Sequence, residues 1–165
     1  MNNDACNCPQ CGGNGYTKPH SLNKWVHQFI ELAHHVATWS KDPRTQVGAV
    51  AVDPESKAIL ETGYNGLPRG VHDLNERMYA PQKYLFTAHA EENLVAHAAR
   101  KVLAGSTVYV THLCCAACAR MLINAGVAKV IVGNGKTSMP SEQFEVAKTM
   151  FEESGVLLLF ANEVT

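Results

Sequence analysis

Two short stretches carry the side chains best suited to chemistry. His89-Ala90-Glu91 opens one segment with helical spacing, and Cys115-Ala116-Ala117-Cys118 opens another. A catalytic zinc takes three protein ligands and leaves a fourth position for water, and one imidazole with two thiolates meets that need. Two residues between the cysteines let both sulfurs reach one ion from a single helical turn, where the positive end of the helix dipole favours the thiolate form. Glu91 follows His89 by two residues. It is placed to take a proton from an activated water without occupying a coordination position, and to pass protons to a substrate. Taken singly each half is weak, because H-x-E is short and common and a buried cysteine is also a small apolar side chain. The two halves in order, each at the start of a helix, carry the metal reading. A closed structural zinc would call for a fourth protein ligand and leave Glu91 without a task.

These side chains need a scaffold, and the hydrophobic spacing supplies one. Leu22, Val26, Phe29, Ile30, Ala33, Val36 and Ala37 recur at helical intervals after Ser21, which is placed to cap. Val47 to Val52 and Ala58 to Thr62 are β-prone and separated by Asp53-Pro54-Glu55-Ser56, which predicts a hairpin. From Gly63 to Phe86 there is no sustained period, and a loop of that length inside a compact domain is usually functional. A helix over Ala90–Lys101, a strand over Thr107–Thr111 and a helix over Cys115–Ala125 follow. A strand over Lys129–Val132, a helix from Ser141 to about Ser154 and an apolar strand over Val156–Phe160 complete the order α-β-β-α-β-α-β-α-β. Such alternation after a hairpin predicts an α/β fold, a five-stranded mixed sheet with helices on both faces.

Composition narrows the function. The chain has 165 residues, enough for one domain; hydrophobic residues make up 46% and charged ones 18%, which excludes an intrinsically disordered chain. Fourteen basic against fifteen acidic residues give a net charge of -1, whereas a protein that grips a polyanion usually shows a basic excess. Neither a nucleic-acid partner nor a membrane is expected, the longest apolar runs falling well short of a bilayer span. All six cysteines fall in two tight groups, a spacing that in a reducing compartment points to metal binding before disulfides, so the chain is expected in the cytoplasm. Residues 1–18 read as a Cys-rich tail and 19–165 as the catalytic domain. In the tail, Cys6, Cys8 and Cys11 form half of a zinc-ribbon pattern, a possible second metal site for which His20 is a distant fourth ligand.

The flanking residues resemble the zinc-dependent cytidine and deoxycytidylate deaminase family from about Trp25 to Phe160, and the deoxycytidylate (dCMP) deaminases within it. H-x-E followed by P-C-x-x-C is the signature of zinc nucleobase deaminases, here with Cys114 in place of the proline. Ser40-Lys41-Asp42-Pro43-Arg44-Thr45-Gln46-Val47-Gly48-Ala49 is similar to the family's first-loop motif. Gly63-Tyr64-Asn65-Gly66-Leu67-Pro68-Arg69-Gly70 with Asp73 resembles its G-Y-N-G-x-P-x-G-x-x-D segment, the most discriminating piece. The resemblance implies a three-layer cytidine-deaminase-like fold and hydrolysis of dCMP to dUMP and ammonia. It further implies zinc on His89, Cys115 and Cys118, Glu91 as proton shuttle, an Ala90 backbone N–H on the pyrimidine carbonyl and Asn65 on the sugar. It also implies a homohexamer, with dCTP and Mg²⁺ or dTTP acting at a nucleotide site near Gly63, Tyr64, Gly66, Asp73 and Arg100. For the 5′-phosphate, chemistry rather than resemblance nominates Arg44 and Lys41, with Arg77 and Lys83 behind them, and His112 is expected to line the pocket. Deamination of another pyrimidine nucleotide or nucleoside, 5-substituted dCMP included, stays open.

Overall fold

The computed structural model describes residues 22–164. The expected tail over 1–18, with Cys6, Cys8 and Cys11, and the capping Ser21 lie outside the described residues. The first helix, α1 (Leu22–Ala37), buries Val26, Phe29, Ile30, Ala33 and Val36 on one stripe. Strands β1 (Gly48–Val52) and β2 (Ile59–Tyr64) form the expected hairpin. A long connection follows, holding a 3₁₀ turn (Asn75–Met78) and the one-turn helix α2 (Lys83–Phe86). Helices α3 (Ala90–His97) and α4 (Arg100–Leu103) lead to β3 (Thr107–His112), α5 (Ala116–Ala125), β4 (Lys129–Gly135), α6 (Ser141–Ser154) and β5 (Leu157–Phe160).

The strands form one sheet in the order β2-β1-β3-β4-β5. β1 is antiparallel to both β2 and β3, while β3, β4 and β5 run parallel, as crossovers through α5 and α6 require. Alternation along the strands sorts the apolar side chains into two layers. Val50, Val52, Tyr109 and Ile131 face α1, and Ala49, Ala51, Val108, Val110, Val130 and Val132 face α3, α5 and α6. Helices therefore cover both faces, in three layers.

Two glycines set how closely the helices approach. A Cβ on Gly48 would lie 2.1 Å from the Ala33 carbonyl oxygen of α1, and one on Gly63 would lie 2.2 Å from the Ala90 carbonyl oxygen of α3. The neighbours Ala49 and Gly63 are paired across β1 and β2. α1 is thus seated on one strand of the hairpin and α3, which begins with Ala90 and Glu91, on the other.

The expected helix over Ala90–Lys101 is interrupted. Ala98 and Ala99 are extended, with ψ of 145° and 138°, and the chain restarts as α4. Four alanines among these residues favour an unbroken helix, so tertiary packing decides. The break turns Leu103 fully into the core and brings the Arg100 guanidinium to the Asn124 carbonyl oxygen at the end of α5, 2.9 Å away.

Candidate active site

The two candidate stretches meet because two helix N-termini point at one place. His89 is the N-cap of α3, with extended backbone, and the Glu92 carboxylate reaches back to accept its backbone N–H at 2.5 Å. Glu three residues after an N-cap is a capping-box signal, so the spacing of Glu92 from His89 already carries this contact in the sequence. Cys115 is the N-cap of α5 and Cys118 sits one turn on. The His89 Nδ1 lies 3.3 Å from the Cys118 Sγ and 3.5 Å from the Cys115 Sγ, and the two sulfurs are 3.6 Å apart.

Those separations can be tested against a metal. Zn–S and Zn–N bonds in tetrahedral coordination imply edges of about 3.8 Å between sulfurs and about 3.6 Å from nitrogen to sulfur. The triangle matches to within a few tenths of an ångström. Among the described residues no other group of three His, Cys, Asp or Glu side chains comes together in this way. Without an ion, the three groups share protons among themselves. Hydrogen bonding from Cys118, opposed by burial and helped by His89, draws the Cys115 thiol down to about 4. The bond to Cys115 raises His89 to about 9. Cys118, beside that thiolate, is pushed upward. An imidazole and two thiols at tetrahedral spacing fit zinc.

Glu91, one residue into α3, is buried, and burial raises its carboxyl above the ordinary range. It faces the same cavity as His89 and Cys115, a space of about 270 Å³. Cys114 is fully buried and outside the ligand triangle, and burial pushes its thiol up. Ala90 also borders the cavity, at the first turn of α3.

Arg44, Asn65, Lys83 and His112 line this cavity too. The amide of Asn65 is largely spoken for. Its Oδ1 accepts from the Val47 backbone N–H at 2.7 Å, and its Nδ2 donates to the Thr45 carbonyl at 2.9 Å and to the Asp42 carboxylate at 3.3 Å. One acceptor position on Oδ1 is left for a ligand hydroxyl. The His112 ring rests on Gly135, where a Cβ would come within 2.4 Å of it, and its Nδ1 lies 2.8 Å from the Thr111 hydroxyl oxygen; burial lowers its pKa.

The remaining candidates lie elsewhere. The Lys41 ammonium is bonded to the Asp73 carboxylate, and neither residue borders the cavity. Arg77 donates to the His72 carbonyl at 3.0 Å and stacks over Phe86 at 4.4 Å. Gly63 underlies α3, Tyr64 packs edge-on to Trp39, and Gly66 pairs with Ala88 to close the base of the long connection. Arg100 stands at the far end of α5. A larger cavity of about 640 Å³ lies on the other side of Leu113 and Thr137, bordered by His27, Glu31 and His34 of α1. It holds neither the ligand triangle nor Glu91.

Comparison with known proteins agrees with this geometry. Residues 23–134 match the family described as the cytidine and deoxycytidylate deaminase zinc-binding region. A deaminase from Aliivibrio fischeri, of uncharacterised activity, is 39% identical over 138 residues, covering 82% of this chain and 92% of its own. The deoxycytidylate deaminase of Mus musculus is 36% identical over 139 residues, covering 81% and 77%. The crystal structure of dCMP deaminase from the cyanophage S-TIM5 in complex with dCMP and dUMP superposes with a TM-score of 0.65 at 27% identity, covering 88% of this chain and 99% of that one.

Proposed function

The chain belongs to the cytidine and deoxycytidylate deaminase family, and on that premise we propose that it hydrolyses dCMP to dUMP and ammonia, so supplying dUMP for thymidylate synthesis. One observation carries the reading: the His89, Cys115 and Cys118 donors and the buried Glu91 share a single cavity whose rim also bears the Arg44 cation. His89, Cys115 and Cys118 would hold zinc, which when bound supplies Lewis-acid activation of the attacking water. The chain's own groups do the rest. The Glu91 carboxylate takes a proton from that water as its oxygen bonds C4 and delivers it to N3 of the cytosine ring; it then takes the proton of the new C4 hydroxyl and passes it to the amino nitrogen as the C4–N bond breaks, so that water and dCMP leave as dUMP and ammonia. Burial raises the Glu91 carboxyl above the ordinary range, which favours the proton-carrying form of a group that must pass protons on.

The Ala90 backbone N–H, in the first turn of α3 at the cavity border, suits the pyrimidine carbonyl as a donor. The remaining acceptor position of Asn65 suits a sugar hydroxyl, and the Arg44 guanidinium suits the 5′-phosphate. His112, neutral at the cavity wall, adds a surface against which the substrate can be oriented. From the family resemblance the chain forms a homohexamer in the cytoplasm, and dCTP with Mg²⁺ or dTTP acts at the Gly63–Asp73 segment.

The test is direct. Purified, zinc-loaded protein is incubated with dCMP, 5-methyl-dCMP, CMP, deoxycytidine and single-stranded DNA, with and without dCTP and Mg²⁺, and loss of the cytosine absorbance is followed. Turnover should be fastest on dCMP and should stop on chelation. No turnover of dCMP under any of these conditions sinks the reading, and faster turnover of another substrate reassigns it within the family.

A further inference from the structure

Two neighbouring residues of the loop before β1 carry opposite charges and grip the long connection at two points. Lys41 bonds Asp73, and Asp42 bonds Lys83, so loop and connection exchange one cation and one anion each. The two bridges differ in weight. Lys41 and Asp73 are 74% and 45% exposed, a setting in which an ion pair contributes little. Lys83 and Asp42 are 15% and 5% exposed, with the Nζ 2.6 Å from the Oδ2.

Asp42 is also the hub of the cavity wall. Its Oδ1 accepts the backbone N–H groups of Arg44 at 2.9 Å and Thr45 at 3.0 Å, and its Oδ2 accepts from Asn65 Nδ2 at 3.3 Å. Ser40 adds a further tie, its hydroxyl donating to the Asn65 carbonyl at 2.7 Å and accepting the Asp42 N–H at 3.2 Å. Arg44, Thr45 and Asn65 all border the catalytic cavity, and so do Lys83, Tyr84 and Thr87 of the connection. The connection is closed at its base by the Gly66–Ala88 bridge, so its far arm is secured to the loop chiefly by Lys83.

We propose that Lys83 is a positioning residue of the substrate site: paired with Asp42, it locks the Leu67–Thr87 connection and the Arg44-bearing loop into one closed wall. This rests on the 270 Å³ cavity being the substrate site. Without the Lys83 charge the buried carboxylate loses its strongest partner, and the geometry of Arg44 and Asn65 relaxes together with the arm. With the pair intact, the wall is preorganised and substrate binding does not bear the cost of ordering it.

The experiment is a double-mutant cycle on the zinc-loaded enzyme with Lys83→Met, Asp42→Asn and the double variant, plus Lys83→Arg. KM and kcat for dCMP are read alongside hydrogen exchange of the 67–87 amides and zinc content. Each single variant should raise KM on the order of tenfold or more with a smaller change in kcat and unchanged zinc. The double variant should be no worse than the poorer single one, exchange across 67–87 should quicken in all three, and Lys83→Arg should restore most of the KM. The double variant leaves no buried unpaired charge, which keeps the cycle readable if a single variant folds poorly.

Unchanged KM and exchange in Lys83→Met overturn the proposal. So does a KM that rises in Lys83→Met but not in Asp42→Asn, which would mean that Lys83 touches the substrate phosphate without Asp42. If the wild-type protein turns over no dCMP, the exchange measurement still judges the clasp, and only the reading of the substrate fails.

Discussion

Glu91 stands next to a metal ligand in space yet is not one of the triangle, and that separation of tasks can be measured. Replacing it by Gln preserves shape and burial and removes the group that takes up and releases a proton. Zinc content should stay at the wild-type level while kcat on dCMP falls by about 10²–10⁴-fold, the usual share of a positioned general acid–base. Turnover within a few-fold of wild type would remove Glu91 from proton transfer. The residues of this triangle were legible in the sequence because their spacing is local: both helix starts announce themselves, and i, i+2 and i, i+3 separations survive any fold. The cations were not legible. Lys41 and Arg44 differ by three positions and look equivalent, but one is bound to Asp73 and the other lines the cavity. Which of two charges is already partnered depends on residues 32 positions away, and no local pattern contains that.

At the scale of elements, the site depends on how deeply α3 sits on the hairpin. Gly63→Ala would drive a methyl group into the Ala90 carbonyl and the Leu94 backbone nitrogen, 2.2 Å and 2.6 Å from the ideal Cβ, and α3 has to shift outward. Gly48→Ala would do the same to α1 through Ala33 and Ala37, on the opposite face. Both variants should lose about 1–3 kcal/mol of stability by overpacking. Only Gly63→Ala displaces the turn that carries His89 and Glu91, so it should also lower kcat on dCMP, and weaken zinc retention, well beyond Gly48→Ala. Thermal melts matched with activity and zinc assays would check this; equal loss of activity in both would mean that stability alone is at work. A sequence reader sees Gly63 as the first letter of the G-Y-N-G segment and looks for a ligand. Its packing role appears only once β2 and α3 are known to be neighbours. The strands and helices themselves were readable from period and punctuation, and the one substantial miss, the break at Ala98–Ala99, is a place where burying Leu103 outweighs alanine's helical preference.

The whole molecule brings chain segments together at the ligand triangle. α3 follows β2 and the long connection, α5 follows β3, and their N-termini converge where two thiols and an imidazole meet. A cation at that point neutralises the thiolate charge and joins two helices that otherwise share the core cluster to which Leu94, Cys118 and Leu122 belong. Binding to the folded state alone adds RT ln(1 + [L]/Kd), about 2.7 kcal/mol for free zinc at a hundred times Kd. Chelation should therefore lower the melting temperature by several degrees and abolish dCMP turnover, both being restored by added zinc. Cys115→Ser removes one corner of the triangle. Its melting temperature should already lie near that of the chelated protein and respond little to chelator, because the stabilisation to be lost is no longer there. Ligands must shed protons to bind, so zinc addition to the stripped wild-type protein should release protons to the medium, and Cys115→Ser should release fewer. A wild-type melting temperature indifferent to chelator, with zinc demonstrably removed, would mean that the core holds α3 and α5 in place unaided and that the metal serves the chemistry alone.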